Sequence, residues 1–231
     1  MRWIVVQIRR RELANLRMTT PVWVEILNKL ATPTIAAVSA FYVYLQYRRA
    51  QRWKATDLAA SLLAKLETDP CLSLAMQALD WGVGPLLIPE RYQPLFPRDA
   101  SGEYPGVMQH DTDVLARALE PQLNDATLND PRGLVYRHCF IKLFNHLDNI
   151  YNLLNDGQLQ QEDLADLKYW LELLHDYQYA PTPDEGTQVF QPALNGWSYS
   201  NVTRLATMLG VDVNTTEVSD ATGVAPVMIG N

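Results

Sequence analysis

The chain has 231 residues, 48% of them hydrophobic, with a formal net charge of −7 and a pI near 5.1. That length allows one modest domain with an attached segment, and the acidic balance argues against a nucleic-acid-binding domain, which needs a basic patch. The charge is split unevenly: residues 1–54 carry 10 Lys and Arg against 2 Asp and Glu, a net of +8, whereas residues 55–231 carry 9 against 24, a net of −15.

Residues 1–29 read as a basic leader. Its apolar piece WIVVQI is too short for the core of a signal peptide, and RRR follows where small residues should precede cleavage. TTPVWVEILNK after Met18 resembles a short lead-in to an anchor, so the natural start is expected at Met18, with 1–17 as an upstream extension.

The stretch 30–47, LATPTIAAVSAFYVYLQY, holds no charged residue. As a helix its 18 residues would cover about 27 Å, slightly less than the roughly 30 Å of a bilayer's hydrocarbon core. The expected anchor residues are Ile35, Val38, Phe41, Tyr42, Val43, Tyr44, Leu45 and Tyr47, with Trp23 and Trp53 beyond the two ends. Aromatic rings at both edges of an apolar run suit the membrane–water interface. Lys29, Arg48, Arg49, Arg52 and Lys54 are expected on anionic lipid, at about 1 kcal/mol per basic residue. The sequence therefore predicts a single-pass transmembrane helix in the cell membrane, with the N-terminus outside and the domain after it cytoplasmic. Two other fates compete. Thr32, Thr34, Ser39 and Gln46 dilute the apolarity enough for a core helix of a soluble protein; a helix lying in the interface would need a strongly polar face, which the run lacks.

A basic juxtamembrane segment, 48–57, leads into a helical domain expected over 58–210. The first helix is predicted from about Pro33 to Glu67, with Leu58, Leu62 and Leu66 forming an apolar stripe. Asp69 and Pro70 read as the cap and first position of a second helix, CLSLAMQALDW, ending at Gly82. Residues 82–110, rich in Pro and Gly, read as a long irregular connection in which Tyr92, Phe96 and Tyr104 pin the chain to the core. A short helix follows over Thr112–Leu119, capped by Asp111.

The clearest element is a long helix over Pro131–Asn155, with Tyr136, Phe140, Leu143, Phe144, Leu147, Ile150, Tyr151 and Leu154 on its buried side and Asn155-Asp156-Gly157 as its stop. A second helix over Gln161–Tyr177 repeats Leu164, Leu167, Leu171 and Leu174, and the short connection predicts an antiparallel αα-hairpin. A loop over 180–196, one more helix over Tyr199–Leu209 and a poorly ordered tail over 211–231 complete the chain. The fold class is thus all-α: an N-terminal transmembrane helix continuing into a small helical bundle that contains the hairpin.

Catalytic constellations are sparse. Cys71 and Cys139 sit in no metal-binding or redox spacing, and two free thiols suit a reducing compartment, although one disulfide stays open. His138 beside Cys139 points about 100° away from it on a helix, so the two make no nucleophile–base pair. His138, Lys142, Asn145 and Asn149 share the polar stripe of the long helix and form a candidate partner surface, with His146 at its edge. His110-Asp111 followed by Asp113 matches a fragment of the histidine–aspartate pattern of metal phosphohydrolases, and Asp111 is equally explained as a helix cap.

The anchor, the basic exit, LAASLLAKLETDP and LFNHLDNIYNLLNDGQLQQEDLADLKYWL together resemble bacterial single-pass membrane-anchored helical proteins of unknown function. The resemblance rests on apolar periodicity in the anchor and the hairpin; it implies an anchored helical domain, and it implies no activity and no functional residues. The expected function is a membrane-tethered interaction protein, an adaptor or assembly subunit without a cofactor. Its expected partners are membrane lipid and a protein partner or a second copy of itself, not nucleic acid. The alternatives are a membrane-bound metal-dependent hydrolase on His110, Asp111 and Asp113, and a soluble helical protein with 30–47 in its core.

Overall fold

The computed structural model describes residues 22–122, 125–177 and 190–211. The expected start at Met18, the leader before it, the middle of the 180–196 loop and the tail beyond Val211 lie outside the described residues. The chain divides after Lys54 into two units.

The first helix, α1, spans Val22–Thr68. It begins well before the predicted start and runs through Pro33, a position where proline removes one helical N–H donor. In the first unit, every described side chain from Ala31 to Lys54 is exposed. That exposure lends the core-helix alternative no support. The transmembrane expectation is not supported either: among the described residues no helix is long and apolar enough to cross a membrane. The physical reason is composition. Thr32, Pro33, Thr34, Ser39 and Gln46, with the hydroxyls of Tyr42, Tyr44 and Tyr47, interrupt the aliphatic run.

The second unit is mostly helical, as the sequence predicts. It begins within α1, where Ala59, Leu62 and Leu66 enter the core. Helix α2 spans Pro70–Asp80. Asp69 Oδ1 accepts from the backbone N–H of Cys71 at 3.0 Å and of Leu72 at 3.3 Å, satisfying two donors that a helix start leaves open. Strands β1, Pro85–Leu87, and β2, Val107–Gln109, pair antiparallel with Leu86 opposite Met108. Between them a 3₁₀ turn covers Glu90–Leu95. The predicted irregular connection therefore carries a small β-ribbon. Each strand has three residues and buries only its middle one, too short a pattern for period-two alternation to register. Tyr92 is buried and Phe96 packs against the core, while Tyr104 lies under the Arg98 guanidinium at 4.5 Å.

Helix α3, Thr112–Ala118, is capped by Asp111 as expected. A short helix α4, Asp125–Asn129, follows. Helix α5 spans Pro131–Asn155 with Asp130 as its cap, matching the sequence reading at both ends. Gly157 after it has a φ of 70°, the left-handed conformation that ends helices and that glycine adopts without a steric penalty. A 3₁₀ turn, Gln161–Leu164, leads into α6, Ala165–His175. The last elements are α7, Gln191–Gly196, and α8, Ser200–Met208.

Helix α5 is the centre of the core: α2, α3 and α8 pack against it. Phe140 and Phe144 are fully buried on it, and their rings meet Phe190, Trp197 and Tyr199. Helix α6 turns its buried Leu167, Leu171 and Leu174 toward α2 and α8. The expected αα-hairpin is thus corrected in its packing: the consecutive helices α5 and α6 find their main partners elsewhere, with α2 and α8 serving both. Arg137 of α5 donates to the carbonyl oxygens of Ala118 at 3.0 Å, Glu120 at 2.7 Å and Pro121 at 3.2 Å, and its guanidinium lies 4.7 Å over the Trp197 ring.

Candidate functional site

The expected anchor residues are exposed all round α1. Ile35 is 65% exposed, Val38 63%, Phe41 62% and Val43 63%, and Tyr42, Tyr44, Leu45 and Tyr47 are exposed with them. Lys29, Arg48, Arg49, Arg52 and Lys54 flank the segment and are exposed too. Basic side chains thus stand on both sides of the exposed apolar segment.

The polar stripe of α5 is largely occupied by the chain itself. The His138 ring lies 5.7 Å from that of Tyr92, Lys142 Nζ pairs with Asp69 Oδ2 at 2.5 Å, and Asn145 Oδ1 accepts from the Tyr199 hydroxyl at 2.9 Å. Asn149 is exposed. His146 is buried, and its Nε2–H donates to the Leu62 carbonyl oxygen at 3.0 Å. Burial holds its pKa below the ordinary histidine value.

His110 is buried between two phenols. Its Nδ1 is 2.7 Å from the Tyr136 hydroxyl and its Nε2 is 3.3 Å from that of Tyr177. The Tyr136 oxygen also accepts from the Asp111 backbone N–H at 3.2 Å. Desolvation lowers the His110 pKa and raises that of Tyr136, so both stay neutral. Asp111 caps α3 through Oδ1 and pairs with Arg132 at 3.0 Å through Oδ2. Both ring nitrogens and both carboxylate oxygens are therefore engaged, and among the described residues no group of three or more His, Cys, Asp or Glu side chains could hold a metal ion.

A different cluster, which sequence spacing did not reveal, lies where α2 begins. A cleft of about 750 Å³ is lined by Asp69, Cys71, Gln77, Ile88, Arg91 and Lys142 among others. Cys71 occupies the first turn of α2, where the helix dipole favours a thiolate. Arg91 Nη2 donates to Cys71 Sγ at 2.9 Å, and the Tyr92 hydroxyl is 4.0 Å from the same sulfur. Cys139 is fully buried on α5. Interaction with the Cys139 thiol, with the Arg91 charge, outweighs burial and holds the Cys71 thiol below its ordinary pKa; interaction with Cys71 and burial hold Cys139 above. Neither cysteine is in a disulfide.

Asp69 joins this cluster to the fold. Burial pushes its carboxyl upward, but the bonds from Lys142 and from the Cys71 and Leu72 backbone outweigh it, and its pKa falls below the usual value. The residues of the cleft come from the start of α2, the 3₁₀ turn and α5, elements far apart in sequence. The one local signal is Asp69-Pro70-Cys71, a capped helix start that places a cysteine in the first turn. No family model matches the chain, and neither a curated protein nor a solved structure matches it.

Proposed function

We propose that this protein is a helical interaction protein held at a membrane surface by α1, an adaptor or assembly subunit that keeps its second unit beside an anionic, cytoplasm-facing leaflet. The observation that carries this reading is the exposure of Ile35, Val38, Phe41 and Val43 round α1, followed by the exposed Arg48, Arg49, Arg52 and Lys54. Apolar side chains of residues 30–47 that leave water for lipid and basic side chains on anionic headgroups add their free energies. The acidic balance of residues 55–231 keeps that part off the same lipid surface.

Flotation of the purified full-length chain with lipid vesicles tests the attachment. The protein should float with vesicles containing phosphatidylglycerol and float less with phosphatidylcholine alone. V38E with F41E should abolish flotation on both, whereas R48Q with R49Q should weaken it on the anionic vesicles only. Protein that stays in the dense fraction with both lipids would overturn the attachment. Extraction of native membranes in mild detergent tests the partner role: a stoichiometric second protein, or a homo-oligomer, should accompany the chain, and a lone monomer would overturn it.

A further inference from the structure

A second cleft, of about 320 Å³, opens between the core end of α1, α2 and α6. Leu63, Leu66 and Met76 give it an apolar base, and two indoles, Trp81 and Trp170, line it with them. Its ionisable lining is acidic: Glu67 from α1, Asp80 from the end of α2 and Asp166 from α6, with no Lys, Arg or His among the described residues that line it. Glu67 also borders the larger cleft, but the cations there are engaged, Arg91 with the Cys71 sulfur and Lys142 with Asp69. We propose that this second cleft binds a small quaternary ammonium ion, with Trp81 and Trp170 against its methyl groups and Glu67, Asp80 and Asp166 supplying the opposing charge.

Both kinds of lining select for positive charge. The face of an indole is the negative pole of its quadrupole, and Trp is the best aromatic partner for a cation. Acid side chains around a partly apolar cleft focus a field of the same sign, which repels anions. A metal ion does not suit the lining: among the described residues no group of three or more His, Cys, Asp or Glu side chains could hold one, and an indole N–H is a donor with nothing to offer a metal. A primary ammonium brings three N–H donors that each need an acceptor in place. A quaternary ammonium brings none; its methyl groups pack on aromatic and aliphatic surface, and its charge is spread over them to meet separated carboxylates. Tyr169 orders the acidic and the aromatic side together. Its hydroxyl donates to Asp80 Oδ1 at 2.7 Å, and its ring stands edge-on to Trp170 with centroids 5.2 Å apart. Trp81 is 44% exposed, so the second indole is open to a ligand from solution. The volume lies at the lower end of small-molecule sites, about 300 Å³, which fits an ion the size of choline rather than a nucleotide. The site uses none of residues 30–47, so its test and that of lipid attachment are separate.

Ligand-observed NMR on the intact chain tests this, with choline as the probe and 3,3-dimethylbutan-1-ol, its uncharged carbon isostere, as the control. The choline methyl protons should receive saturation from the protein, and the alcohol should not displace choline. W81L should weaken choline binding about fivefold, the loss of one exposed cation–π contact. E67Q with D166N, both exposed side chains, should weaken it about threefold at low salt and less at high salt. Glycerophosphocholine distinguishes the sources of the group: binding as tight as that of choline assigns the site to a lipid headgroup, and weaker binding, from its phosphate against the acids, assigns it to a free ion. Circular dichroism establishes that each variant is folded. The proposal is wrong if choline receives no saturation, if the alcohol binds as well as choline, or if folded W81L and E67Q with D166N bind choline like the wild type.

Discussion

The imidazole of His146 reaches across 84 positions of sequence to donate its Nε2–H to the backbone oxygen of Leu62 at 3.0 Å. That bond ties α5 to the end of α1 that enters the core. It requires neither a charge nor a second polar partner, and burial keeps the ring below its ordinary pKa of 6.5.

The sign of the pH dependence follows. A histidine whose folded pKa is depressed contributes stability that is complete above the unfolded value, and it loses that stability as pH falls through the folded value. His110 shifts in the same direction through the same desolvation. Urea unfolding should therefore show a plateau at pH 7 to 8 and a decline beginning below about pH 6.5. H146Q, which can still donate to Leu62 but does not titrate, should reduce the decline; an unchanged pH profile would remove His146 as a cause.

Asp69 serves both α2 and Lys142. D69A removes two cap bonds and leaves a partly buried ammonium without its carboxylate. A lost N-cap costs about 1 kcal/mol, and breaking the pair adds to it, so D69A should lower the urea midpoint more than D69N, which keeps a capping oxygen. Equal losses would show that the cap bonds to Cys71 and Leu72 contribute nothing.

Phe140 is fully buried against Phe144 and Phe190. F140A should cost about 3–5 kcal/mol in equilibrium unfolding, the sum of lost transfer energy and a residual cavity. By contrast, F41A on the exposed segment of α1 should leave unfolding unchanged within about 0.5 kcal/mol. A large loss at Phe41 would mean that this ring is covered by its own chain.

Gly196 ends α7 directly against Pro121. A Cβ added there would sit 2.5 Å from the proline Cβ and Cγ. Because a proline ring cannot swing aside like a long side chain, G196A should destabilise by about 1–3 kcal/mol, measured by thermal melting against G106A, where an added Cβ meets nothing within 4 Å.

The sequence announces an element clearly where chemistry marks both ends. Asp130-Pro131 and Asn155-Asp156-Gly157 bracket α5, and Asp69-Pro70 opens α2, because capping acids and prolines act locally. Trp81 rather than Gly82 closes α2, an ordinary one-residue difference at a fraying end. The β-ribbon and the short helices α4 and α7 were hidden for the opposite reason. Three to six residues carry no periodicity, and Pro192 reads as a loop signal although it occupies the first turn of α7. The Leu164–Leu174 stripe was legible as apolar, but a stripe does not name its partner, and α2 and α8 take the place that a hairpin would give to α5. The same limit hid the cleft: Cys71, Arg91 and Lys142 line it only because three separate elements converge.

Arg137 shows what convergence of this kind achieves. Backbone N–H groups of Leu119 and Glu120 reach the carbonyls of Leu115, Ala116 and Arg117, but the Ala118 carbonyl that ends α3, like those of Glu120 and Pro121 beyond it, takes its donor from a side chain. The guanidinium supplies those donors from a neighbouring helix, with one flat cation feeding three oxygens while its face rests on an indole. A lysine would bring the same formal charge but neither the fork nor the plate, so at this corner it is geometry, not charge, that closes the end of a helix.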